Sequence, residues 1–151
     1  MQRKIDLTWD CADAQVMAAF WKLALCYVDA PAPNPFKSRD EWLASFDVPE
    51  EEWHMGAWLC DPTGIGPSLS ILTVPEAKVA KNRLHFDIRV TCDGDVNEQW
   101  RQLTVQVNEF VEAGGRVLQQ FLNHHVVMAD PEGNEFCVAF SIPDADQNND
   151  H

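Results

Sequence analysis

Several stretches of the chain place chemically capable side chains two residues apart, the spacing that puts both on one face of a β-strand. Along 82–91 these are His85 and Asp87. An imidazole beside a carboxylate can accept and return a proton, with Asp87 orienting the His85 ring as a general acid/base. Asp6 and Thr8 offer a carboxylate and a hydroxyl as hydrogen-bonding groups near the start. Glu135 and Cys137 do the same near the end, and Cys137 with His85 has the residue types of a nucleophile pair, although a thiol in a strand more often serves as a small buried apolar group. Trp53, His54 and Trp58 supply rings that can stack on a planar or cationic ligand or simply pack. His124 and His125 are adjacent, so they point to opposite sides of a strand, and only His125, at the head of the last hairpin, is a candidate for a site.

A chain of 151 residues, 46% hydrophobic, with six Trp and eight Phe, has the material for a full core and reads as one domain of two closely packed halves. Its formal net charge of −13 opposes nucleic-acid phosphates and anionic headgroups, which argues against nucleic-acid and membrane partners. Acidic residues interrupt the start, and no apolar run reaches the length of a membrane span. Five cysteines, odd in number and without a CxxC pair, are the usage of a reducing compartment, so the expected location is the cytoplasm.

Elements that would hold these residues follow from periodicity. Residues 4–11 alternate as a half-buried strand, and Asp13 caps a helix over 13–25 whose apolar positions recur at helical spacing. Pro31, Pro33 and Pro35 make a stiff connection. Ser38 with Glu41 is a capping box that starts a short helix through Trp42, Leu43 and Phe46, closed by Pro49, and Glu50–Glu52 reads as a solvated loop. Residues 56–60 form a strand, Asp61-Pro62-Thr63-Gly64 a turn, and 67–72 another strand. After a linker at 75–81 the plan repeats: an alternating strand at 82–91, a helix capped by Asp95 with Val96, Trp100, Leu103, Val107 and Phe110 on one face, and Gly114-Gly115 ending it. A short strand at 116–119 precedes the hairpin of 125–129 and 135–140 around Asp130-Pro131-Glu132-Gly133-Asn134. Residues 142–151 form an acidic tail expected to be disordered.

Each half thus reads strand, helix, about three strands, an α+β arrangement with mixed sheets and outer helices. This order, occurring twice with a DPxG turn in each half, resembles the vicinal oxygen chelate superfamily, specifically its glyoxalase-like and bleomycin-resistance-like branch. The residues that carry the resemblance are Asp13-Ala14-Gln15 through Ala19-Phe20-Trp21, then Asn82 through Asp87, Glu112-Ala113-Gly114-Gly115, and Val127 through Cys137. It spans nearly everything from Lys4 to Phe140, as one domain (1–141) of two modules at about 4–74 and 82–140, with a lid-like insertion at about 31–55 outside the pattern.

The resemblance implies two βαβββ modules whose sheets curl into one cup around a ligand. In metal-dependent members four ligands, usually His and Glu, come from the first and last strands of each module. Carried onto this chain one at a time, those positions fall on Asp6, His85, Cys137 and, counting from the Asp61 turn, Ser68. Asp6 and His85 are candidate ligands for a divalent metal and Cys137 a candidate thiolate ligand, but Ser68 is a poor one, so the usual quartet is not expected. Three functions remain open: a protein that sequesters a small organic ligand in a cup lined by Asp6, Thr8, Trp58, His85, His125, Glu135 and Cys137; a lyase or isomerase using His85 with Asp87, with or without metal; and a non-catalytic interaction module. Exposed sheet edges allow a homodimer.

Overall fold

In the computed structural model, which describes residues 1–141, the chain forms two compact units. One comprises Met1–Ala80 with the turn Asp130–Asn134, and the other Lys81–Ala129 with residues 135–141. The acidic tail lies outside the described residues.

The first unit runs β1 (Leu7–Cys11), α1 (Ala14–Leu25), β2 (Val28–Asp29), α2 (Arg39–Ala44), a 3-10 turn (Glu50–Met55), β3 (Gly56–Cys60) and β4 (Leu69–Thr73). Its sheet has the order β1-β4-β3-β2, with β1 parallel to β4 and the remaining pairs antiparallel. α1 starts where the Asp13 carboxylate accepts from the Gln15 and Val16 N–H groups, satisfying two otherwise orphaned donors. It ends at Cys26 (φ 55°), and the Tyr27 N–H returns to the Lys22 carbonyl at 3.0 Å. Met17, Phe20, Trp21 and Ala24 form its buried stripe, matched on the sheet by Leu59, Leu69 and Ile71. Each of the larger side chains contributes about 1.5–3 kcal/mol by burial.

The second unit repeats the plan with β5 (Asp87–Val90), α3 (Val96–Glu112), β6 (Arg116–Phe121), β7 (His125–Ala129) and β8 (Glu135–Phe140), in the order β5-β8-β7-β6 with β5 parallel to β8. Leu103, Val107 and Phe110 of α3 are buried, with Val126, Met128, Phe136 and Val138 buried on the sheet, and Phe110 lies 6.3 Å from Phe136 ring to ring. Gly114 (φ 108°) supplies a backbone that a side chain would strain, and the Gly115 N–H closes the helix on the Phe110 carbonyl.

The two units also share a register. The Val74 N–H donates to the Cys11 carbonyl and the Ser141 N–H to the Val90 carbonyl, both at 2.8 Å. Cys11 therefore corresponds to Val90 and Val74 to Ser141, so Thr8 corresponds to Asp87, Asp10 to Arg89, and Ser70 to Cys137.

Several boundaries differ from the sequence reading. β1 starts at Leu7, not residue 4, because its partner β4 starts at Leu69 and Pro67 just before it has no N–H to continue a ladder. β5 covers only Asp87–Val90. Upstream, the Glu135 carboxylate takes the Asn82 N–H at 3.0 Å, and side-chain bonds of this kind compete with strand pairing. Glu50–Met55 is a 3-10 turn instead of a loop, and the two-residue β2 is too short to show alternation. At α2 the Ser38 hydroxyl accepts from the Glu41 N–H as expected, while Glu41 accepts from the Lys37 N–H, one residue before the position a capping box predicts.

The 31–55 insertion is fastened by Arg39. Its guanidinium carbon lies 4.8 Å from the Trp42 ring centroid and 4.6 Å from that of Trp58, and Nη2 donates to the Ala30 and Pro31 carbonyls. Arg39→Ala is expected to lower stability by about 1–2 kcal/mol from the cation–π contacts and the two hydrogen bonds. Urea titration followed by tryptophan fluorescence reads this loss, and an unchanged midpoint would show that the clasp holds nothing.

Candidate functional site

Each sheet gives one face to its helix and keeps a polar face opposite. In the first unit the register aligns Thr8, Ser70 and Trp58 in one row across β1, β4 and β3, on the side away from Leu59, Leu69 and Ile71. Trp58 lies along the sheet over Gly56, where an added Cβ would collide with its ring. The cation stacked on Trp58 is the chain's own Arg39, with Trp42 edge-on at 5.4 Å. Trp53 donates its indole N–H to the Val48 carbonyl, and the His54 carbonyl accepts from the Gln15 side chain, so both serve local packing.

In the second unit one row joins Asp87, Cys137, Val127 and Gln119, and the next joins Arg89, Ala139, His125 and Phe121. Asp87 stands directly opposite Cys137 in the parallel pair. Burial pushes the Cys137 thiol's pKa up, and the Asp87 carboxylate adds to the rise, while Lys81 and Arg89 pull the other way. The net upward shift disfavours the thiolate, the form that acts as a nucleophile. The His125 ring stacks on Phe121 at 4.4 Å and 12° and is half-buried.

Two expected partnerships are replaced by others. Because β5 begins at Asp87, His85 lies ahead of the strand, and sharing a strand face with Asp87 does not apply to it. His85 is exposed, with Nε2 at 2.8 Å from the Asn82 carbonyl and 3.0 Å from Lys81 Nζ, whereas Asp87 pairs with Arg89 at 3.5 Å. Asp6 likewise precedes its strand and is exposed in an ion pair with Lys4 at 3.2 Å.

The register also corrects the assignment of family positions. From Asp61 to Val74 the first module has two more residues than the second has from Asp130 to Ser141. Counting from the turn therefore misaligns the last strands by two: Ser68 corresponds to Glu135, and Cys137 corresponds to Ser70. The module-one position equivalent to Cys137 is therefore Ser70 instead of Ser68. The Glu135 carboxylate is engaged with the Asn82 N–H. Among the described residues, no group of three or more His, Cys, Asp or Glu side chains is placed to hold a metal ion.

Arg39, Trp42, Lys81, Arg89 and Ser70 were missed as contributors to these faces. The alternation of Arg83, His85, Asp87 and Arg89 already marked Arg89 as polar-faced, but nothing local in the sequence brings Arg39 to Trp58.

Comparison with known proteins agrees with this architecture. The sequence matches the model of the glyoxalase-like domain over residues 6–139. No curated protein matches it. Among solved structures, the fosfomycin resistance protein FosX from Mesorhizobium loti superposes with a TM-score of 0.60 at 8% identity, over 95% of this chain and 94% of that one. A glyoxalase-related enzyme from Fulvimarina pelagi gives 0.58 at 14% identity, over 93% and 89%. FosX from Listeria monocytogenes, in complex with Mn(II) and a dihydroxypropylphosphonic acid, gives 0.58 at 8% identity, over 95% and 96%. At such identities the likeness shows the fold alone. Among the described residues no helix is long and apolar enough to cross a membrane. With the family model covering nearly the whole described chain, this protein belongs to the glyoxalase-like domain family.

Proposed function

We propose that the protein binds a small organic ligand against the polar faces of its sheets, holding it by hydrogen bonds and ring contacts without a four-ligand metal centre. The observation that supports this reading is the hydrogen-bonding character of the rows across the parallel strand pairs, where Thr8 stands beside Ser70 and Asp87 beside Cys137. These groups suit neutral polar recognition. Trp58 contributes apolar surface, but Arg39 already satisfies its preference for a cation, so a neutral or anionic partner fits the ligand better than a cationic one. Five free cysteines support a reducing, cytoplasmic setting, and the exposed edge strand β6 would suit a homodimer.

The competing reading is a metal- or histidine-dependent lyase or isomerase. It draws on the His85 imidazole, the Glu135 carboxylate and the Mn(II) complex of the Listeria structure. One experiment separates the two: metal analysis of protein purified without chelators, then thermal-shift titration with zinc, manganese, iron and nickel. The expected result is no stoichiometric metal and no saturable shift. A stoichiometric metal that His85→Ala or Glu135→Gln removes would overturn the metal-free reading. A ligand from an unbiased screen, added at a hundredfold its Kd, should stabilise the fold by about 2.7 kcal/mol. Failure of every compound class to do so would leave the interaction-module reading in its place.

A further inference from the structure

Equivalent positions at the ends of the two sheets carry opposite charge. In the first unit a cleft of about 740 Å³ is lined by Asp10, Glu76 and Glu132, with Lys78 as its cation. In the second a cleft of about 670 Å³ at the C-terminal ends of β5 and β8 has Arg89 where the first has Asp10. Among the described residues no carboxylate lines it. Besides Arg89 its polar lining residues are Thr91, Cys92, Gln99, Asn123, His124 and Ser141. Thr91 and Ser141 already place their oxygens 3.2 Å apart. Arg89 uses one nitrogen at 3.4 Å on the Phe140 carbonyl and another at 3.5 Å on Asp87, both long contacts that leave its planar donor array under-used.

In a protein of net charge −13, a cleft whose described lining includes Arg89, Thr91, Ser141, Gln99 and Asn123 and no acidic residue is a local exception. Such groups converge where an oxyanion is to be held, since each can donate while a carboxylate in the same place would repel. The geometry points to a binding site for a small oxyanion of phosphate size at the end of the second sheet, with Arg89 as its charged anchor and Thr91 and Ser141 as hydroxyl donors. Through the 3.5 Å contact of Arg89 with Asp87 this site adjoins the row of Asp87 and Cys137, but its test with phosphate reads a different ligand and does not depend on the ligand reading given above.

Inorganic phosphate is the probe. Phosphate stabilises most proteins by exclusion from their surface, so a rise in melting temperature alone decides nothing. The readout is direct, by 31P line broadening and calorimetric titration of the full chain at constant ionic strength made up with chloride. Saturable binding in the millimolar range is expected. Arg89→Met should weaken it by about ten- to a hundredfold, the loss of a charge-assisted hydrogen bond. Ser141→Ala, at the last described residue and outside the core, tests the site without risk to folding and should weaken binding severalfold. The effect of Asp10→Asn, at the equivalent position of the first unit, should be nil. Non-saturable behaviour in the wild type, or equal binding by wild type and both second-unit variants, would overturn the assignment.

Discussion

Asp130→Ala is expected to destabilise the protein by about 3–5 kcal/mol, because it strands several buried donors at once. The side chain is fully buried, and its two oxygens accept from the Trp21 indole N–H at 3.2 Å, the Asn134 amide at 2.8 and 3.1 Å, and the backbone N–H groups of Asn134 and Glu132 at 2.9 and 3.0 Å. The adjacent Glu132 carboxylate accepts from the Ala12 and Asp13 N–H groups at 2.7 and 2.9 Å, so the turn is stapled at both ends of its contact with the start of α1. The corresponding Asp61 is half-buried and holds its own turn, through Thr63 and Gly66. Asp61→Ala should therefore cost a small fraction of the Asp130 loss. Equal urea midpoints for the two variants would show that the buried network carries no special weight.

Burial pushes the Asp130 pKa up, and its donors only partly offset this. A folded-state pKa above the unfolded one means that the group's contribution is full below the ordinary aspartate range and is lost as pH rises through the raised value. The penalty of Asp130→Ala should accordingly be largest in acid and shrink toward neutral pH. A penalty that grows with pH over the same window would contradict the burial argument.

Trp21→Ala is the second large effect, about 3–5 kcal/mol for the cavity left by a fully buried indole. The ring packs 4.6 Å from Trp9 and edge-on to Phe20 at 5.3 Å, between β1 and the body of α1. Because it also donates to Asp130, the two substitutions share a partner. Their combined cost should fall short of the sum by about 0.5–3 kcal/mol. Full additivity in a double-mutant cycle would mean that the indole contributes by volume alone. Trp21→Phe, which retains a ring and removes the N–H, separates the two contributions.

Most of the fold was legible because it rests on local rules. The hairpin strands at 125–129 and 135–140 coincide with β7 and β8, since alternation and the Asp-Pro-x-Gly turn both act over a few residues. The Asp13, Ser38 and Asp95 caps were found for the same reason. The site was legible only in part. Thr8, Trp58 and Cys137 do stand on open polar faces, where period two puts them. His85 and Asp6 do not share that placement, because strand pairing stops one or two residues short of them and a face is defined only where a ladder exists.

What the sequence by itself determined was the repeated strand–helix–strand order, the net charge of −13 and five cysteines without a CxxC pair, all consequences of residue type and spacing. Tertiary structure alone decided which residues meet. The parallel register of β1 with β4 and of β5 with β8 joins segments about fifty to sixty residues apart and shows that Glu135, not Cys137, corresponds to Ser68. It also sets Arg89 against the equivalent Asp10, and brings Arg39 of an insertion onto Trp58. No local preference encodes such pairings, because they depend on which surfaces remain to be buried once every element has formed.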